Sequence, residues 1–140
     1  LLSEECELAA SEADLVLPVP MHRGRRRRRG FESVAELARL TARGLGLRMV
    51  AGLLLKTRPT RPQMGLSRPA RLENVGGCFS VSRPAEIRGK LVLLVDDVIT
   101  TCATSEECAR TLRTAGAREV RVAAVARAIE GRQSPPPPPR

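Results

Sequence analysis

At 140 residues the chain is sized for one domain, at about 100–200 residues each. It carries 24 Lys and Arg against 15 Asp and Glu, a net charge of +9. All but Lys56 and Lys90 of these bases are arginine, whose planar fork grips phosphate bidentately and keeps its charge. With no Trp, no Tyr and only Phe31 and Phe79, it lacks the stacking platform of a single-strand nucleic-acid module. No run of about 18 apolar residues offers a membrane span. Cys6, Cys78, Cys102 and Cys108 show no C-x-x-C spacing and no His pair, so no zinc site is legible. The expectation is a soluble, cytoplasmic protein with reduced thiols.

Residues 1–13 are acidic and rich in Ala and Leu, which predicts a short amphipathic helix packed on the domain. Residues 15–19 form an apolar run with Pro18 and Pro20, a strand closed by a rigid turn. A basic loop follows, with Arg23 and then Arg25, Arg26, Arg27, Arg28 and Arg29 in unbroken succession. From Phe31 the period turns helical: Val34, Leu37, Ala38 and Thr41 share a face, and Gly44 or Gly46 supplies the stop. Residues 47–55 read as the next strand, and residues 56–67, holding Pro59, Pro62 and Gly65, as an irregular loop. Ser67 caps a short helix reaching Asn74, with Pro69 in its first turn and Gly76-Gly77 after it. A strand over 78–82, a turn over 84–90 and a strand over 91–95 come next. A helix over 104–115 closed by Gly116 and a strand over 120–126 complete the pattern. Ser134 and the five prolines behind it read as a disordered polyproline-II tail over 131–140. Strands alternating with helices predict a single-domain α/β, Rossmann-like βαβ parallel sheet over 14–130.

Residues 91–104 concentrate the chemistry. Five consecutive apolar residues, Leu91 to Val95, suit a strand covered on both faces, and Asp96 and Asp97 follow where a parallel sheet exposes its carboxyl edge. At an exposed strand end, neutralising this pair is expected to change stability by no more than about 0.5 kcal/mol. Thr104 and Glu107 have the spacing of a capping box, which predicts a helix beginning at Thr104. Its open amides suit an anion. Phosphate on those amides and on Thr hydroxyls, with vicinal hydroxyls donated to Asp96 and Asp97, describes a sugar phosphate. A response-regulator receiver also places acids after an apolar strand, but it needs a later Lys, and nothing after Asp97 is Asp or Lys.

This run resembles the phosphoribosyl-diphosphate (PRPP) motif of type I phosphoribosyltransferases: a strand, two acids, and a Thr-Thr-Gly-x-Thr-like loop. More of the chain is similar to the competence-protein ComF family of that fold, over roughly 14–128. The further motifs are the 15–20 strand with Arg29-Gly30-Phe31, then Pro62-Gln63, Leu66-Ser67 and Asn74-Val75. The resemblance implies a type I phosphoribosyltransferase fold and transfer of ribose 5-phosphate from PRPP to a nucleobase or amine, releasing diphosphate. It implies that Thr100, Thr101, Cys102, Ala103 and Thr104 hold the 5′-phosphate. Asp96 and Asp97 would hold the ribose hydroxyls and, indirectly, magnesium. Pro20, Met21, His22 and Arg29 would face the diphosphate, and Arg68 and Arg71 would be catalytic.

Two departures stand out: Cys102 where the family loop has Gly, and Glu32-Ser33 where it typically has Asn-Gln. A side chain at 102 either strains a left-handed turn or fits at negative φ, and a thiol there is placed to react with oxidants. Family members often carry a cysteine-rich element ahead of the transferase domain, and this chain shows none, as a shortened or fragmentary chain would.

The basic loop has three readings. By resemblance it is the pyrophosphate loop, with His22 either on the diphosphate or an exposed turn residue. By charge it is a nucleic-acid surface with a counterion-release term, and otherwise it is a solvated turn. Residues 56–75 resemble the mobile loop that closes over the diphosphate, which would bring Arg58, Arg61, Arg68 and Arg71 to it and exclude water. The alternative function is a non-catalytic ComF-like accessory protein for DNA uptake or processing, with residues 25–29 on nucleic acid. A homodimer is compatible with either.

Overall fold

The computed structural model describes residues 10, 12–21, 33–99 and 102–127. The basic loop with His22 and Arg29, Thr100 and Thr101, Cys6, the Pro-rich tail and most of the N-terminal helical segment lie outside them.

The described residues form, in order, β1 (Leu15–Pro18), α1 (Ser33–Leu45), β2 (Arg48–Met49), β3 (Leu54–Lys56), α2 (Arg68–Val75), β4 (Phe79–Val81), a 3-10 turn (Pro84–Glu86), β5 (Leu91–Ile99), α3 (Ala103–Thr114) and β6 (Glu119–Arg127). Four strands make one sheet in the order β2-β1-β5-β6, every pairing parallel. The strands β3 and β4 pair antiparallel as a separate ribbon. The parallel α/β sheet expected from the strand-helix alternation is therefore present.

Strand alternation divides the core in two. Leu15, Leu17, Val19, Val92 and Leu94 pack with Leu54, Val75, Phe79, Cys108 and Leu112 from the ribbon, α2 and α3. Val16, Leu91, Leu93 and Val95 face the other way, onto Ala38 and Ala42 of α1. Small residues four apart let α1 lie close to the sheet. With both faces covered, β5 reads as a continuous apolar run rather than an alternating one. At its start, Asp14 pins the strand twice, donating its N–H to Leu91 O (2.8 Å) and accepting the Leu91 N–H at Oδ2 (2.7 Å).

Three expectations need correction. The 47–55 strand is two short strands in different sheets, because Gly52 takes φ +77° and turns the chain between them. A run of apolar residues carries no mark of where it leaves one sheet for another. The central strand continues past Val95 to Ile99, so both carboxylates lie inside β5. Finally, Thr104 does not cap α3. Cys102 is the N-cap residue, its carbonyl accepting the Glu106 N–H at 2.7 Å and the Ser105 hydroxyl at 3.0 Å. The Glu107 carboxylate goes instead to the Gly77 N–H (2.9 Å) and to Arg110. Tertiary partners have taken both halves of the expected capping box.

The other punctuation stands as read. Ser67 caps α2 with Pro69 in the first turn. Gly116, at φ +105°, lets α3 close with Ala117 N–H on Leu112 O at 3.0 Å. Among the described residues no helix is long and apolar enough to cross a membrane.

Candidate functional site

In a sheet ordered β2-β1-β5-β6, the chain leaves β1 toward one edge and β5 toward the other. The loops after these two adjacent strands diverge, and the crevice between them is where open parallel sheets take ligands. Register fixes what lines it. Pro18 pairs with Val95 and the Val19 N–H reaches Val95 O at 2.8 Å, so Pro20 and Met21 leave β1 level with Asp96 and Asp97. His22 and Arg29, assigned to the same edge from the sequence, lie outside the described residues.

Asp96 is in phase with Val92 and Leu94, on the α3 side of the sheet, and its charge is felt at Cys108. Burial pushes its carboxyl up from an ordinary 3.8 to about 6. The Asp97 N–H, donating to Asp96 Oδ1 at 2.8 Å, opposes that rise, while a hydrogen bond and charge repulsion from the Asp97 carboxyl add to it. The pair is therefore a half-buried dyad, and the expectation of an exposed strand end is corrected. Such a dyad accepts hydrogen bonds from vicinal hydroxyls and suits a hard cation, which commonly takes one or two protein carboxylates and leaves its other positions to substrate phosphates. Among the described residues no group of three or more His, Cys, Asp or Glu is placed to hold a metal alone.

Across the edge from the dyad, α3 opens. Cys102 adopts φ +61°, ψ −1°, the one non-glycine residue of positive φ among the described residues. A side chain in that region costs about 1–2 kcal/mol. The alternative, that cysteine fits at negative φ, is overturned. Cys102 places no side-chain cap on α3, so Ala103 and Thr104 open a 12-residue helix with its positive end toward the loop. Cys78 and Cys108 are buried and their thiols pushed up by burial, which leaves Cys102 the accessible thiol among the described residues.

The segment between β3 and α2 is braced rather than loose. Asn74 clamps Arg61 in both directions, its Oδ1 accepting the Arg61 N–H (3.0 Å) and its Nδ2 donating to Arg61 O (2.9 Å). Arg58 donates to Asn74 O (3.3 Å) and Gly76 O (2.8 Å), capping the carbonyl end of α2. Arg71, 5 % exposed, sends Nε to Gln63 O at 3.0 Å. Of the four arginines named for this region, Arg58 and Arg71 thus hold the segment to α2, and Arg61 and Arg68 are exposed. Gln63 spans to α3, its Nε2 donating to Thr104 Oγ1 at 2.7 Å. Sequence reasoning assigned no role to Gln63 or Asn74, since nothing in local spacing announces a contact 41 residues away.

Residues 33–137 match the phosphoribosyl transferase domain family. Over 116 residues the chain is 34% identical to competence protein F of Haemophilus influenzae, covering 82% of this chain and 51% of that protein. It is 33% identical over 116 residues to the DNA utilization protein YhgH of Escherichia coli O6:H1, covering 83% of this chain and 50% of that one. The chain thus spans about half the length of these curated relatives. Among solved structures it is similar to the glutamine phosphoribosylpyrophosphate (PRPP) amidotransferase from Bacillus subtilis. There the TM-score is 0.52 at 28% identity, with 81% of this chain and 22% of that one covered.

Proposed function

The chain belongs to the phosphoribosyl transferase domain family, with competence-protein-F-like proteins as its kin, and from that premise we propose that it binds PRPP and transfers ribose 5-phosphate to a nucleobase or amine. One observation carries the reading: an acidic dyad and the open amino end of α3 share one edge of the sheet, at its switch point. The spacing of a ribose 5-phosphate asks for that pairing, acceptors for two hydroxyls and a positive helix end for the phosphate.

In this reading Asp96 and Asp97 hold the ribose hydroxyls. The 100–104 loop, with Thr100, Thr101, Cys102, Ala103 and Thr104, holds the 5′-phosphate. Pro20, Met21, His22 and Arg29 face the diphosphate, and Arg68, exposed at the start of α2, supplies positive charge to it. Arg71 acts by fixing the segment that carries Gln63. The C1–O bond to diphosphate breaks, a C1–N bond to the acceptor forms, and the acceptor gives up a proton. Charge develops on the leaving diphosphate, so preorganised cations lower the barrier most. Magnesium suits the dyad and, bound there with the substrate, would neutralise diphosphate charge.

Calorimetry with PRPP and magnesium tests this. The wild-type chain should bind, and Asp96→Asn with Asp97→Asn should abolish binding while leaving a folded protein. Unchanged affinity in the double variant would remove the assignment of the site.

A second reading, a nucleic-acid role, draws support from the +9 charge and from relatives named for competence and DNA utilization. In it Arg25 to Arg29 contact phosphates, and affinity for duplex DNA falls steeply as salt rises. Competition separates the two: DNA displaced by millimolar diphosphate is borrowing the diphosphate loop, whereas DNA held against it occupies a surface of its own.

A further inference from the structure

Gln63 joins the braced 57–67 segment to the first turn of α3 through Thr104, and the direction of that hydrogen bond has a chemical consequence. A hydroxyl carries one proton. With the Gln63 Nε2–H donated into Thr104 Oγ1 at 2.7 Å, the oxygen is committed as acceptor, and its proton must point elsewhere. A phosphate offers acceptors and seeks donors, so a threonine in a phosphate cradle is useful only when its hydroxyl is presented proton-first. The Gln63 amide enforces that presentation.

The arrangement is costly for the folded state. Gln63 Oε1 is buried with no hydrogen-bond partner among the described residues, a defect worth about 1–3 kcal/mol. Leucine would fill the same space without it. The residue's backbone is nonetheless firmly held: the Gln63 main-chain carbonyl accepts from Arg71 Nε (3.0 Å) and the Leu66 N–H (3.2 Å), and Asn74 clamps the backbone two residues earlier. A group that costs stability and is fixed by three neighbours is preorganised for a purpose other than packing.

We infer that Gln63 is a positioning residue for the 5′-phosphate of a sugar phosphate, acting through Thr104 by holding its hydroxyl as a donor. The inference rests on the PRPP-site reading above and adds to it a side chain from outside the phosphate loop. It also gives the braced 57–67 segment a task at the phosphate site.

The test is a double-mutant cycle on ribose 5-phosphate affinity, measured by calorimetry on the full chain, with circular dichroism to verify folding. Thr104→Val should weaken binding about tenfold or more, the loss of one hydrogen bond to a charged group. Gln63→Leu should weaken it several-fold, the double variant should be no weaker than Thr104→Val alone, and Thr104→Ser should bind as wild type does. Thr104→Ala serves the cycle should the valine variant not fold. Equal or tighter binding by Gln63→Leu, or losses that simply multiply in the double variant, would overturn the inference while leaving the site reading intact. A wild-type chain that binds neither ribose 5-phosphate nor PRPP would overturn the site reading and this inference with it.

Discussion

Asp96→Asn should make the ligand-free protein more stable above pH 6 and less able to bind PRPP. The folded protein raises this carboxyl from 3.8 to about 6, chiefly by burial, so the folded state holds the proton more tightly than the unfolded chain does. Below about pH 4 the group is protonated in both states and no penalty exists. As pH rises through 6 the unfolded chain has already released its proton, the folded one must follow, and stability is lost. Two pH units correspond to about 3 kcal/mol as the upper bound. Asparagine cannot ionise and keeps an Oδ1 to accept the Asp97 N–H, so the variant should escape the loss. Urea denaturation in EDTA-containing buffer at pH 4, 6 and 8 reads this directly. The stability of the variant minus that of wild type should grow by about 1–3 kcal/mol between pH 4 and pH 8. A difference that stays constant with pH, or an asparagine variant less stable than wild type at pH 8, would refute the placement of Asp96 in a desolvated position. Stability gained with affinity lost is the pattern expected of a functional carboxylate.

Cys102→Gly should raise the melting temperature slightly, since relief of left-handed strain at about 1–2 kcal/mol outweighs the chain entropy that glycine adds at about 0.5–1 kcal/mol; a lower melting temperature would contradict the φ of +61°. It should also tighten PRPP binding if the side chain crowds the phosphate. Iodoacetamide should label Cys102 ahead of the buried Cys78 and Cys108, and PRPP should protect it; peptide mapping that finds no protection would place the thiol outside the phosphate cradle. Asn74→Ala should release the 57–67 segment, and thermolysin, which cuts beside apolar residues, should then attack near Met64, already 93 % exposed, several times faster than in wild type. Leu94→Ala, at a fully buried position of β5, should cost about 2–5 kcal/mol, checked by the same denaturation assay.

What could be read from the sequence was local. Ser67 with Pro69 two residues on, Gly46 and Gly116 after helical runs, and five apolar residues before two acids each act within a turn or two of chain. The missed features are set by distant groups. Thr104 and Glu107 have the spacing of a capping box, yet Gln63 and Gly77 compete for them, and a tertiary partner outbids a local one without changing a letter of the local pattern. The raised carboxyl of Asp96 depends on burial on the α3 side of β5, which requires knowing that the strand runs on to Ile99. The Gln63 link joins residues on either side of the β4 and β5 strands, so only the folded topology brings them together. Local physics thus determined which elements form, while long-range contacts decided the protonation and the hydroxyl direction on which the site's chemistry depends.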